Sequence, residues 1–175
     1  MTHDTHGLIL LVDDNPIQRR LYSDVLTADG YSVFAAGDVK EAEQFLLGNK
    51  PSLIVLDIMM PDVDGIEACH RFRKTLGERI PILFLTAADT MNVVLAAMKA
   101  GGDDYIVKSG STSHLLDRVR HWRHAGHVNL PERRTKVLAY LRARARTDYA
   151  DRSAATPGDV HAASDPVPSV ASAKH

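Results

Sequence analysis

Cysteine is almost missing from this chain of 175 residues: only Cys69 is present, so an internal disulfide framework is excluded and a reducing compartment is compatible. No uninterrupted apolar stretch approaches the ~18 residues that a membrane span needs, so none is read. The opening MTHDTHG has neither a basic n-region nor an apolar h-region, so no export signal is read. Strong charge is absent too. A formal net charge of −1 gives no bulk indication of nucleic acid or a membrane surface as partner. These absences leave a cytoplasmic globular protein as the expectation.

The even total hides an asymmetry. Residues 1–124 carry 13 Lys/Arg against 17 Asp/Glu, whereas residues 125–152 carry 7 against 3. Three regions follow: a domain over 1–124, a basic amphipathic helical extension over 125–152, and a tail over 153–175. The tail is rich in Ala, Ser, Pro, Asp and His and is expected to be disordered.

Short apolar runs alternate with amphipathic ones through the first region. LILLV (8–12), YSVFAA (31–36), LIVL (53–56), ILFLT (82–86) and YIVK (105–108) have strand length and are nearly continuous in apolar residues. Strands covered on both faces have this appearance. Helical patterns lie between them at 16–29, 38–48, 65–77, 90–100 and 112–124. The first carries Ile17, Leu21, Val25 and Leu26, and the last Leu115, Leu116, Val119 and Trp122. Asn15-Pro16 opens a helix, Gly30 closes it, and Pro81 precedes a strand. Five βα units with short links predict an α/β fold, a parallel sheet wrapped by helices on both faces. Binding sites in such sheets lie beyond the carboxyl ends of the strands.

Charge collects at those ends. The first strand runs into Asp13-Asp14, the third into Asp57, the fourth into Thr86 and the fifth into Lys108. Three carboxylates brought together repel unless a cation intervenes, and Mg²⁺ is the usual hard ion for an oxygen-rich, partly hydrated shell. The ion and an ammonium would also neutralise an incoming phosphoryl group. The chemistry predicted is a carboxylate nucleophile, two metal-binding acids, a lysine and a hydroxyl. Taken alone, Asp13-Asp14-Asn15-Pro16 also reads as a helix cap and Lys108 as a snorkelling strand-end lysine. Cys69 reads as a small core residue, and His114, His121, His124 and His127 as a solvated face rather than a metal patch.

In this order and spacing, LVDDNP, DIMMPDVDG (57–65), LTA (85–87) and GGDDYIVK (101–108) resemble the receiver domain of two-component response regulators over about residues 7–124. The resemblance implies a doubly wound, flavodoxin-like sheet of order 2-1-3-4-5. It implies that Asp57 accepts a phosphoryl group from a sensor histidine kinase or histidine phosphotransfer protein. It gives Asp14 to Mg²⁺ directly, Asp13 mainly through water, and Asp57 and the backbone carbonyl of Met59 to the same shell. Lys108 would contact the phosphoryl oxygens, while Thr86 and Tyr105 would form the switch towards the surface of the fourth helix, fifth strand and fifth helix.

Two departures stand out. Family members usually follow the lysine with a cis proline, but here it is Ser109. A cis bond before a non-proline residue costs ~2.5–4 kcal/mol, so a trans link or a strained loop is predicted. Gly102 replaces a common alanine, a change read as minor.

The extension carries a stripe of Val137, Leu138, Leu141 and Ala145 and several arginines. Protein contact is favoured for it, on the domain, on a second copy (a homodimer) or on a kinase. Nucleic acid is not expected as a partner, because a single basic helix without a folded reader is a weak signal. The overall expectation is a stand-alone phosphorelay regulator without a classical enzymatic activity, apart from hydrolysis of its own acyl phosphate. The alternatives are a transcription regulator using the basic helix, an aspartate-nucleophile phosphatase, and a receiver-shaped binding module that needs no phosphorylation.

Overall fold

In the computed structural model the described residues are 6–87, 91–108 and 111–124, together with 132, 134–136, 138–139 and 142. The elements alternate as expected: β1 (Leu8–Val12), α1 (Pro16–Ala28), β2 (Ser32–Ala36), α2 (Val39–Gly48), β3 (Leu53–Asp57), α3 (Gly65–Leu76), β4 (Ile82–Thr86), α4 (Met91–Lys99), β5 (Asp104–Val107) and α5 (Thr112–His124). All strand pairs are parallel and the order is β2-β1-β3-β4-β5.

The apolar runs divide by strand periodicity into two cores. Leu10, Val12, Ile54, Leu56, Ile82 and Phe84 face α2, α3 and α4, where Ala42, Leu46, Cys69, Phe72 and Ala97 meet them. Ile9, Leu11, Leu53, Val55, Leu83 and Leu85 face the other way, onto Tyr22 and Leu26 of α1 and Leu115, Val119 and Trp122 of α5. Cys69 is fully buried, its Sγ 3.5 Å from the carbonyl of Ala100. Burial pushes the thiol up to about 12.

Two expectations need correction. Ile17 and Leu21 do not join the core: they are 78% and 49% exposed, and α1 buries Tyr22 and Leu26 instead. The helix is rotated so that the large Tyr22 ring fills the space against the sheet. β2 is an edge strand with only Ala36 fully covered, so it is not buried on both faces.

Gly102 matters more than its reading as minor allowed. A Cβ there would lie 2.5 Å from the fully buried Phe84 ring and 3.1 Å from the Ala97 carbonyl. Gly102→Ala is therefore expected to lower the unfolding free energy by ~1–3 kcal/mol, the usual cost of overpacking a core, as read from urea unfolding. Ser109, Val137, Leu141, Ala145, the side chain of His124, His127 and the 153–175 tail lie outside the described residues.

Candidate functional site

The sheet fixes its own rim. Backbone ladder bonds run one residue past the strand ends: Asp13 N–H donates to Ala36 at 3.2 Å, Ile58 N–H to Leu85 at 3.0 Å and Lys108 N–H to Thr86 at 2.8 Å. Asp13, Asp57 and Lys108, separated in sequence, are thereby held at one edge. The loop between β3 and α3 turns through Asp62 at φ +66° and closes with Gly65 N–H on Ile58 O at 2.9 Å.

Lys108 Nζ lies 3.0 Å from one Asp13 oxygen and 2.7 Å from one Asp57 oxygen. The other oxygen of each acid accepts a backbone N–H, from Asn15 at 2.9 Å and from Met59 at 3.2 Å. Asp13 thus takes part in the turn into α1 and in the charge cluster, and Asn15 caps the helix by accepting from Ile17 and Gln18. Asp13 and Asp57 are buried; Asp14 is more exposed, and ligand oxygens of the three acids lie within 4.8 Å of one another.

Burial pushes the Asp57 carboxyl above its ordinary value, with Asp13 adding to the effect and Lys108 and the Met59 N–H opposing it. Lys108 is raised despite its burial, because both carboxylates favour the ammonium. Three carboxylates against one ammonium leave excess negative charge in a low-dielectric rim. A divalent ion with hard oxygen ligands would match that excess, with Asp14 offering its carboxylate from the more exposed side. The donor set fits Mg²⁺.

Thr86 is buried at the end of β4, with its carbonyl accepting from Lys108, and Tyr105 is half-buried on the neighbouring β5. The Met59 side chain is exposed. Among the described residues, no histidine joins a metal-like cluster; His114 and His121 are exposed.

Sequence reading missed several supports. Arg19, on the first turns of α1, donates to the carbonyls of Asp13 at 2.6 Å and Asp14 at 3.2 Å, steadying the acidic loop. Tyr22 lies near enough to the site for Lys108, Asp13 and Asp57 to act on its phenol, which burial raises. Asp104 accepts from Trp122 Nε1 at 2.8 Å and ties α5 to β5. Only the GGDDY motif drew attention to Asp104, and its partner stands 18 residues away.

A family model for the response regulator receiver domain matches residues 9–120. The chain belongs to that family. Curated receiver-containing relatives include a response regulator MprA from Mycobacterium sp. (strain KMS), 43% identical over 112 residues, 64% of this chain and 48% of the relative. The MprA of Mycobacterium leprae (strain TN) is 42% identical, with 64% and 49% covered. This receiver chain spans about half the length of the curated relatives it matches. Among solved structures, a putative response regulator from Chloroflexus aurantiacus J-10-fl superimposes with a TM-score of 0.64 at 32% identity, covering 67% of this chain and 98% of that one. A Francisella response regulator 1452 receiver domain gives 0.63 at 29%, with 68% and 98% covered.

Proposed function

We propose that this receiver is a cytoplasmic phosphoacceptor of a two-component system and signals through a protein partner whose binding depends on phosphorylation. The observation that carries the reading is the Asp57–Lys108–Asp13 arrangement at the sheet rim, with Asp14 completing an oxygen-rich site.

The donor is a histidine kinase or a histidine phosphotransfer protein. An Asp57 oxygen bonds to phosphorus as the nitrogen–phosphorus bond of the donor phosphohistidine breaks, and the imidazole leaves with its proton. Asp13, Asp14, Asp57 and the Met59 carbonyl would hold Mg²⁺, which when bound offsets phosphoryl charge. Lys108, already 2.7 Å from Asp57, supplies the second positive group and keeps the nucleophilic oxygen in place. Burial of Asp57 keeps water from competing. Thr86 and Tyr105 carry the change towards α4 and β5, one local charge event biasing a two-state element.

Acetyl phosphate with Mg²⁺ should add one labile phosphoryl group, seen by intact mass spectrometry, with acetate as leaving group. Asp57→Ala is expected to abolish the adduct. An adduct of equal yield on that variant would overturn the assignment.

A further inference from the structure

Beyond the receiver fold, described helical residues between 132 and 142 lie back against the domain. The contact is built around Asp103, a fully buried carboxylate just before β5. One of its oxygens accepts from Arg73 at 2.6 Å and from Ile82 N–H at 2.8 Å. The other accepts from Arg134 at 2.7 and 3.2 Å, and the remaining Arg134 nitrogen bonds Glu78. With only 12% of its side chain exposed, Arg134 is committed to this clasp and is withdrawn from any role as a nucleic-acid phosphate contact.

One turn further on, Leu138 packs against Val94 and Met98 of α4, the pair on which Leu95 and Tyr105 also pack. Arg134 and Leu138 stand four apart and so share one helix face. Lys136 and Glu132 pair with each other in solvent, 76% and 59% exposed. An exposed pair of that kind contributes little. A guanidinium on a fully buried carboxylate, with an apolar neighbour seated on α4, is a specific dock.

We propose that this segment is a built-in occupant of the α4–β5 face: it is held by Arg134 on Asp103 and Glu78 and by Leu138 on Val94 and Met98, a protein partner of that face must displace it, and its release is coupled to the phosphoryl state of Asp57. The coupling rests on the reading of Asp57 given above; the docking does not. The physical link is Tyr105, which shares Val94 and Met98 with Leu138, so a change in its position alters the surface the latch covers. By linkage, a latch that favours the unmodified state must be loosened by a ligand that favours the other.

Hydrogen–deuterium exchange on the full chain tests the docking first, with no phosphoryl donor present. Arg134→Ala is expected to speed exchange at least ~10-fold between 132 and 142 and to raise it across Val94–Met98, while β1 and β3 are unaffected. Leu138→Ser, which leaves Asp103 and its partners intact, should do the same. Unchanged exchange across Val94–Met98 in both variants would overturn the dock. Beryllofluoride with Mg²⁺ then serves as an equilibrium phosphoryl mimic, its binding followed by calorimetry with Asp57→Ala as control. Bound mimic should raise exchange between 132 and 142, and Arg134→Ala should bind it roughly five-fold tighter or more. Binding without either effect would overturn the coupling. No binding to the wild type would overturn the phosphoacceptor reading and the coupling with it, leaving the dock to be judged by the first experiment.

Discussion

Gly65→Ala is expected to cost about 3 kcal/mol of stability or more, at the upper end of what overpacking does. The prediction runs against helix preference. Gly65 opens α3, where alanine is favoured over glycine by ~1 kcal/mol in a helix interior. A Cβ at this position, however, would lie 2.0 Å from the Asp57 carbonyl oxygen and 2.9 Å from Ile58 Cα. Both obstacles are backbone atoms, so no side chain can turn aside, and the strand end itself must shift. The shift would move Asp57, the proposed nucleophile, as well. Displacement of a reacting group by ~1 Å costs about 100-fold in rate. Urea unfolding and a time course of acetyl-phosphate adduct formation read the two effects; a wild-type midpoint with a wild-type adduct rate would sink the argument.

Lys108→Ala is the second large effect, and its size depends on the metal. Removing the ammonium leaves Asp13 and Asp57 buried without their shared cation. Breaking a buried pair in this way costs ~3–5 kcal/mol. On the proposed function Mg²⁺ would be held by the same carboxylates, so most of the loss should be seen in EDTA and be recovered in millimolar Mg²⁺. An equal loss under both conditions would mean that lysine and ion do not share the charge. The pH dependence follows from the raised Asp57 carboxyl, whose causes are burial first and Asp13 in support. A carboxyl raised by folding contributes stability that is fully present below its ordinary value of 3.8 and is lost as pH rises through the raised one. Without Lys108 that window should extend to higher pH, so the metal-free variant recovers most on acidification.

Much of this molecule was legible in its sequence because parallel strands covered on both faces are written as unbroken apolar runs. β1 and β4 have the predicted bounds, and β3 runs one residue further to take in Asp57. Charges interrupting those runs mark the rim, which is why Asp13, Asp57 and Lys108 were found together. The face of α1 was not legible: Ile17 and Leu21 suit an apolar stripe as well as Tyr22 does, and only the packed sheet chooses between them. Nor could the role of Asp103 be read. Its two guanidinium partners stand 30 and 31 residues away, on opposite sides in sequence, and no periodicity connects them.

The lone sulfhydryl, on the buried face of α3, has a practical corollary. Cys69 has no solvent exposure and holds its proton well above neutrality, so thiol-directed reagents find the folded surface blank. A spin label or fluorophore attached through a cysteine introduced at the exposed Ala139 would report from one place only, without any background substitution. Label mobility or fluorescence at that single site would then report on the proposed release of the segment.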